Sequence, residues 1–330
     1  LRTSGARDRE GTMRLVTFAH RGRQRVGLLE NEQIIDVNRA YAASLERRGE
    51  PRPCALADAI VPAEMIGILE AGERALAAIR ETAGSVREAL GSGGQTEVLR
   101  RDGVVFSLSE VALKAPIPRP GKLILLGLNY RDHAEETGQK IPEVPTLFAK
   151  YNNSVIGPGA TVLIPRATEQ IDYEAEFAFV IGRRGHNIPR ERALDYVAGY
   201  TIVNDVSARD YQFVTSQWMV GKTFDTHCPM GPALVLKDEI ADPHALDISL
   251  SIAGEVLQKS NTQQLIFKIP ETVEYLSQVL TLEPGDVIST GTPSGVGFTR
   301  KPPRWLRPGE TVRVEIAGLG VLENPVAKAP

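Results

Sequence analysis

Three acids and one histidine–glutamate pair are the residues of this chain whose types and spacing could do chemistry. Glu174 and Glu176 stand two apart in the run 173–181. Side chains alternate across a strand, so these acids share a face with Ala178 and Val180, while Tyr173, Ala175, Phe177, Phe179 and Ile181 fill the other. Both faces read as buried toward the far end. Two carboxylates about 4 Å apart repel by roughly 4 kcal/mol at an effective dielectric near 20, and burial strips their hydration as well. A bound cation removes both costs; a strand end that emerges into water, its acids merely solvated, avoids them.

Asp205 terminates the apolar run 202–204, where a carboxylate can face a cavity instead of the core. With Glu174 and Glu176 it makes an all-oxygen donor set, which suits Mg²⁺, Mn²⁺ or Ca²⁺ better than zinc. His133 and Glu136 are three apart and lie one above the other if the segment is helical. A glutamate accepting from one imidazole nitrogen orients the ring and leaves the other nitrogen to take a proton from water. The competing reading is a surface histidine in a charged helix, since Arg131, Asp132 and Glu135 are neighbours. Lys222 could hold a substrate carboxylate or an enolate oxygen, or be one more solvated lysine. Arg209 and Gln212 share a helical face just after Asp205. The run Gly291-Thr292-Pro293-Ser294-Gly295 lets a ligand approach the backbone, yet it is neither a P-loop nor a nucleophile elbow. His20, His186, His227 and His244 are not paired at ligand spacing.

The elements that must position these groups follow from periodicity and punctuation. Residues 15–18, 25–29 and 33–37 read as short strands, 38–48 as a helix, and 63–81 as one stronger helix with Ile66, Leu69, Leu76 and Ile79 near a 3.6-residue period. Gly91-Ser92-Gly93-Gly94 reads as a loop with no phosphate-binding lysine after it. The stiff, helix-breaking stretch 115–121 separates a small N-terminal α+β domain, 13–114, from a β-rich metal-binding domain, 122–330. Residues 1–12 read as a leader or tag. Beyond the linker come a strand at 122–126, a short helix bearing His133 and the acidic strand. A helix at 190–197, a buried strand at 199–204, a helix capped by Ser207 and a helix at 270–280 follow. Gly and Pro turns bound most strands and few helices intervene, which predicts a mainly β, α+β architecture and not a doubly wound sheet.

Composition narrows the function classes. The chain has 330 residues, 42% apolar and 24% charged, with a net charge of -3, so nothing predicts binding to nucleic acid or an anionic membrane. Cys54 and Cys228 make no disulfide framework, which fits a reducing compartment, expected to be the cytoplasm. No apolar stretch reaches the roughly 18 residues needed to span a bilayer.

Five segments together resemble the fumarylacetoacetate hydrolase family: Asn129-Tyr130-x-x-His133-x-x-Glu136, Tyr173-Glu174-Ala175-Glu176, Asn204-Asp205-Val206-Ser207-Ala208-Arg209-Asp210, Lys222-Thr223-Phe224-Asp225 and 290–297. The resemblance covers about residues 123–326. It implies a β-roll or barrel, commonly homodimeric, in which Glu174, Glu176 and Asp205 hold a catalytic divalent ion, usually Mg²⁺. It further implies that His133 and Glu136 ride on a lid, with Lys222, Arg209, Gln212, Thr292, Tyr130 and Lys150 near a small 2-oxo acid substrate. Leu128 departs from the pattern, since some acylpyruvase members carry an Arg there.

The expected activity is metal-assisted hydrolysis of a carbon–carbon bond in a 2,4-dioxo acid, with His133 activating water and Lys222 stabilising the pyruvate-like enolate. The alternative is isomerisation or decarboxylation of a 2-oxo or 2-hydroxydienoic dicarboxylic acid, oxaloacetate included, at the same site. A binding module without catalysis is a reading from another class, against which the paired His133 and Glu136 argue. A role in breakdown of aromatic compounds is what the resemblance implies.

Overall fold

The fold is that of a computed structural model describing residues 12–91 and 95–330; residues 1–11 of the expected leader and 92–94 of the expected loop lie outside the described residues. The largest sheet, 12-stranded among those residues, runs in the order Val105–Ser107, Gln33–Asp36, Arg23–Glu30, Arg14–His20, Cys228–Leu236, Val197–Asn204, Ala175–Ile181, Val287–Ser289, Leu123–Gly127 and Thr146–Ala149, with two short strands off this path. Its two end strands do not pair, so the roll stays open and no barrel closes. A second, five-stranded sheet runs Glu255–Asn261, Asp247–Ile252, Thr311–Ile316, Gly320–Lys328 and Val162–Ile164.

Ala175–Ile181 is apolar on both faces because both are covered. Phe177, Phe179 and Ile181 share a core with Ile248, Leu250 and Val314 of the smaller sheet. Ala178 and Val180 join Ile68, Leu69 and Ile79 of the N-terminal helices in a second core. Burial of each phenylalanine is worth roughly 1.5–3 kcal/mol, so the strand is clamped from both sides. The N-terminal strands belong to the same sheet, Leu15 standing opposite Leu234.

Several local expectations change. The helix expected over 63–81 is two helices, Met65–Ala71 and Glu73–Gly91, broken at Gly72, whose φ of +61° suits a residue without Cβ. Residues 190–197 form only a short 3₁₀ segment, Arg190–Tyr196. Ser207 caps nothing: it sits in the two-residue strand Ser207–Ala208, and its hydroxyl donates to the Asp205 carbonyl at 2.8 Å, leaving Ala208 before the helix Arg209–Gln212. Glu174 falls just before its strand, in the break between Ile171–Asp172 and Ala175–Ile181.

Candidate active site

Antiparallel pairing sets Ala175 opposite Asn204 and Glu176 opposite Val203, and the Asp205 amide donates to the Glu174 carbonyl at 2.9 Å. The three acids therefore meet at one end of two neighbouring strands. Glu174, Glu176 and Asp205 are 5%, 1% and 0% exposed, and each offers a carboxylate oxygen within 4.8 Å of the others. The reading of acids solvated at a strand end does not hold.

Buried cations answer most of this charge. Lys222 Nζ donates to Glu174 Oε2 at 2.7 Å and to Asp205 Oδ2 at 2.6 Å. Lys150 Nζ donates to the other Asp205 oxygen at 2.5 Å and to the Val206 carbonyl at 3.0 Å. Arg209 donates to Glu174 at 2.6 Å, to Asp172 at 2.8 Å and to Gln212 Oε1 at 2.7 Å, its guanidinium lying over the Phe298 ring. Four acids, Asp172, Glu174, Glu176 and Asp205, thus face three cations, Lys150, Lys222 and Arg209, which leaves one negative charge in excess.

The excess falls on Glu176. Among the described residues no cation bonds it; Ser289 Oγ donates to it at 2.5 Å and the Gly291 amide at 3.2 Å. A Cβ on Gly291, at φ +88°, would come within 2.8 Å of the Leu126 carbonyl, so glycine is what brings this amide close. Burial, then the charges of Asp205 and Glu174, push the Glu176 carboxyl well above the usual carboxylate range. Burial acts on Glu174 in the same direction, but Lys222 and Arg209 overcome it and hold that carboxyl well below. A hard divalent cation among these oxygens meets an all-oxygen donor set carrying one uncompensated charge, so the residues fit such an ion; its identity is open to Mg²⁺, Mn²⁺ and Ca²⁺ alike.

His133 lies on the helix Arg131–Thr137, with Nδ1 3.1 Å from Glu136 Oε2. The other Glu136 oxygen accepts from the Gly295 amide at 2.9 Å and Thr299 Oγ1 at 3.0 Å. These bonds outweigh partial burial and keep the Glu136 carboxyl below its ordinary value, so it accepts from Nδ1–H and leaves Nε2 free. His133, Glu174, Glu176, Arg209, Gln212, Lys222 and Thr292 all line one narrow cavity of about 50 Å³. Leu128, Phe148, Phe213, Trp218 and Phe298 wall it.

Two expected substrate contacts stand elsewhere. Tyr130 is fully buried outside the cavity lining, where burial pushes its phenol up. Lys150 is likewise outside the lining, spent on Asp205. Arg209 and Gln212 reach the cavity, but the guanidinium is engaged with acids on both sides. Asp172 went unnoticed in the sequence. It accepts from Arg209 and from the amides of Gly297 and Phe298 at 2.7 and 3.0 Å, tying the glycine loop to the acid cluster. The signal was there: Asp172, Glu174 and Glu176 share one parity.

Residues 122–327 match the family described as fumarylacetoacetate (FAA) hydrolase C-terminal, and the five segments quoted from the sequence all lie inside that span. The chain belongs to the fumarylacetoacetate hydrolase family. Similarity to family members extends through the N-terminal region. The chain is 43% identical over 321 residues to a Xenopus laevis protein named oxaloacetate tautomerase fahd2, mitochondrial, covering 96% of this chain and 90% of that one. Among solved members of the family, a fumarylacetoacetate hydrolase from Exiguobacterium antarcticum is 30% identical with a TM-score of 0.74, over 96% of this chain and 100% of that one. A 5-carboxymethyl-2-hydroxymuconate delta-isomerase from Mycobacterium smegmatis is 31% identical with a TM-score of 0.69 over the same shares. Hydrolases and isomerases thus share this family fold. No helix among the described residues is long and apolar enough to cross a membrane.

Proposed function

We propose that the chain interconverts the keto and enol tautomers of a small 2-oxo dicarboxylic acid of the oxaloacetate class, with a divalent ion held by Glu174, Glu176 and Asp205. The observation that carries this reading is the His133 imidazole, fixed through Nδ1 on Glu136 and lining the same cavity as Glu174 and Glu176. Carbon–carbon hydrolysis stood first in the sequence reading and isomerisation second; the names of the tautomerase and delta-isomerase relatives support the second. The mitochondrial name of the Xenopus relative counts against the cytoplasm as the place of the reaction.

When bound, the ion supplies positive charge against which the enolate form of the acid is stabilised. His133 Nε2 takes a proton from the carbon between the 2-oxo group and the distal carboxylate, and Glu136 offsets the imidazolium charge that results. Lys222 has three N–H bonds, two of them on Glu174 and Asp205, so the third is left to donate to the developing oxyanion. The imidazolium then returns the proton to that oxygen. Only C–H and O–H bonds change, and no water is consumed.

A cavity of about 50 Å³ is well below the roughly 300–1,000 Å³ usual for a small-molecule site, so its walls give way when the acid enters. The helix Arg131–Thr137 carries His133 into this cavity and is held there: Glu136 pins it to the glycine loop, and Asp132 accepts from Ser260 Oγ at 2.5 Å.

The test follows the decay of enol ultraviolet absorbance after freshly dissolved enol-oxaloacetic acid meets enzyme with Mg²⁺, then with EDTA, while pyruvate is assayed in parallel. Mg²⁺-dependent acceleration without pyruvate is expected. Faster release of pyruvate from an acylpyruvate than loss of enol would return the function to carbon–carbon hydrolysis.

A further inference from the structure

A second concave site lies in the N-terminal region and shares no lining residue with the catalytic cavity. It has a volume of about 530 Å³, within the range of roughly 300–1,000 Å³ usual for small-molecule sites. Six arginines converge on it from separate elements: Arg21, Arg23 and Arg25 from the first hairpin, Arg39 from the helix Val37–Arg47, and Arg100 and Arg101 from the helix Thr96–Arg101. Among the described residues no carboxylate lines it.

Internal pairing accounts for only part of this charge. Arg25 and Arg39 share the buried Asp36, Arg25 Nη2 donating to it at 3.0 Å, and Arg101 lies 3.0 Å from the exposed Asp102. Arg21, Arg23 and Arg100 have no carboxylate partner among the described residues. Two backbone features favour the cluster at a conformational cost. Arg21 takes the first central position of the hairpin turn at φ +48°, with Gly22 at +77°, where Asn or Asp before Gly is the ordinary choice. Gly103, at φ +67°, leaves room for Arg39, since a Cβ there would lie 2.0 Å from the guanidinium Nη1, which donates to the Gly103 carbonyl at 3.2 Å. His20 and Phe106, with ring centroids 4.7 Å apart, supply an aromatic floor.

We infer that this cleft binds a small, multiply charged phosphoryl anion of the pyrophosphate or nucleoside polyphosphate class. Planar guanidinium forks pair with phosphoryl oxygens two at a time, and convergence on one hollow suits a compact ligand over an extended strand. This inference is independent of the reading of the catalytic cavity.

The experiment is calorimetric titration of the full chain with pyrophosphate, ATP and citrate, at fixed ionic strength and in EDTA so that chelation at the acid cluster contributes nothing. Wild type is compared with Arg21→Gln/Arg23→Gln and Arg100→Gln/Arg101→Gln. One phosphoryl ligand per chain is expected, with affinity falling about tenfold or more in each double variant while the ligand-free melting temperature stays put. ATP binding tighter than pyrophosphate supports a nucleotide on the aromatic floor; equal affinity supports the phosphoryl groups alone. If one double variant melts several degrees lower, the other decides. The inference is overturned if neither phosphoryl ligand binds, if binding is unchanged in the variants, or if citrate binds as tightly.

Discussion

Around Glu174, Glu176 and Asp205, four acids are met by three buried cations at hydrogen-bonding distance. In the arginine cleft, six guanidiniums are met by two carboxylates, Asp36 and Asp102. The first cluster is buried, and an unpaired charge there costs several kcal/mol, so the chain supplies its own counter-ions up to one missing charge. The second opens to water, where solvent screens the repulsion and several charges can be left for a ligand. Both present an unanswered charge, but burial decides how large it can be.

The sharpest test of the buried side is His133→Ala. Turnover should fall by roughly 10²–10⁴ while affinity for Mg²⁺, read by calorimetry, is unchanged; unaltered turnover would remove the imidazole from the reaction. Lys150→Met should come next, because Asp205 then keeps a single cation in a buried site. Urea denaturation in EDTA should show a loss of about 3–5 kcal/mol, and a loss below about 1 kcal/mol would mean that this pair does not behave as a buried one.

His227 shows a third response to burial, which is to carry no charge. Its Nε2 lies 2.9 Å from the Leu163 carbonyl and Nδ1 has no partner among the described residues; burial first, then the charge of Lys150, lower its pKa to about 4. Between about pH 6.5 and 4 the unfolded chain binds a proton that the folded chain refuses, so stability falls with falling pH across that window. The loss should reach about 3 kcal/mol by pH 4. A His227→Gln variant with an equally steep acid limb would break this account.

Mg²⁺ should raise stability by about 2.7 kcal/mol at a hundredfold excess over its dissociation constant, and Asp205→Asn should abolish that gain. The smallest effect belongs to the open side. Arg21→Gln should shift ligand-free stability by no more than about 0.5 kcal/mol; a larger loss would mean that the arginine cleft is structural.

Much of the site could be read from residue order. Parity put Glu174 and Glu176 on one face, three-residue spacing put His133 over Glu136, and the apolar run before Asp205 placed that acid at a strand end. The same parity rule covers Asp172, whose bonds to Arg209 and to the Gly297 and Phe298 amides join residues 37, 125 and 126 apart in sequence. Lys150 was expected near the substrate, and its pairing with Asp205 escaped notice. It is 55 residues from Asp205 in sequence, and no local pattern states that its ammonium will be buried against that carboxylate. The break at Gly72 was hidden because apolar periodicity continues through it, and only the glycine's φ ends the first helix.

Sequence alone determined the chemistry on offer: hard oxygen donors, one oriented imidazole, and strands whose alternating pattern demanded cover on both faces. These are local properties, set by covalent spacing and side-chain type. Only the tertiary structure decided which cations neutralise which acids, which arginines converge, and that Glu176 is the acid left without a cation partner. Those outcomes depend on distances between residues remote in the chain and on the water excluded from between them, and Coulomb energies follow distance and dielectric, not sequence order.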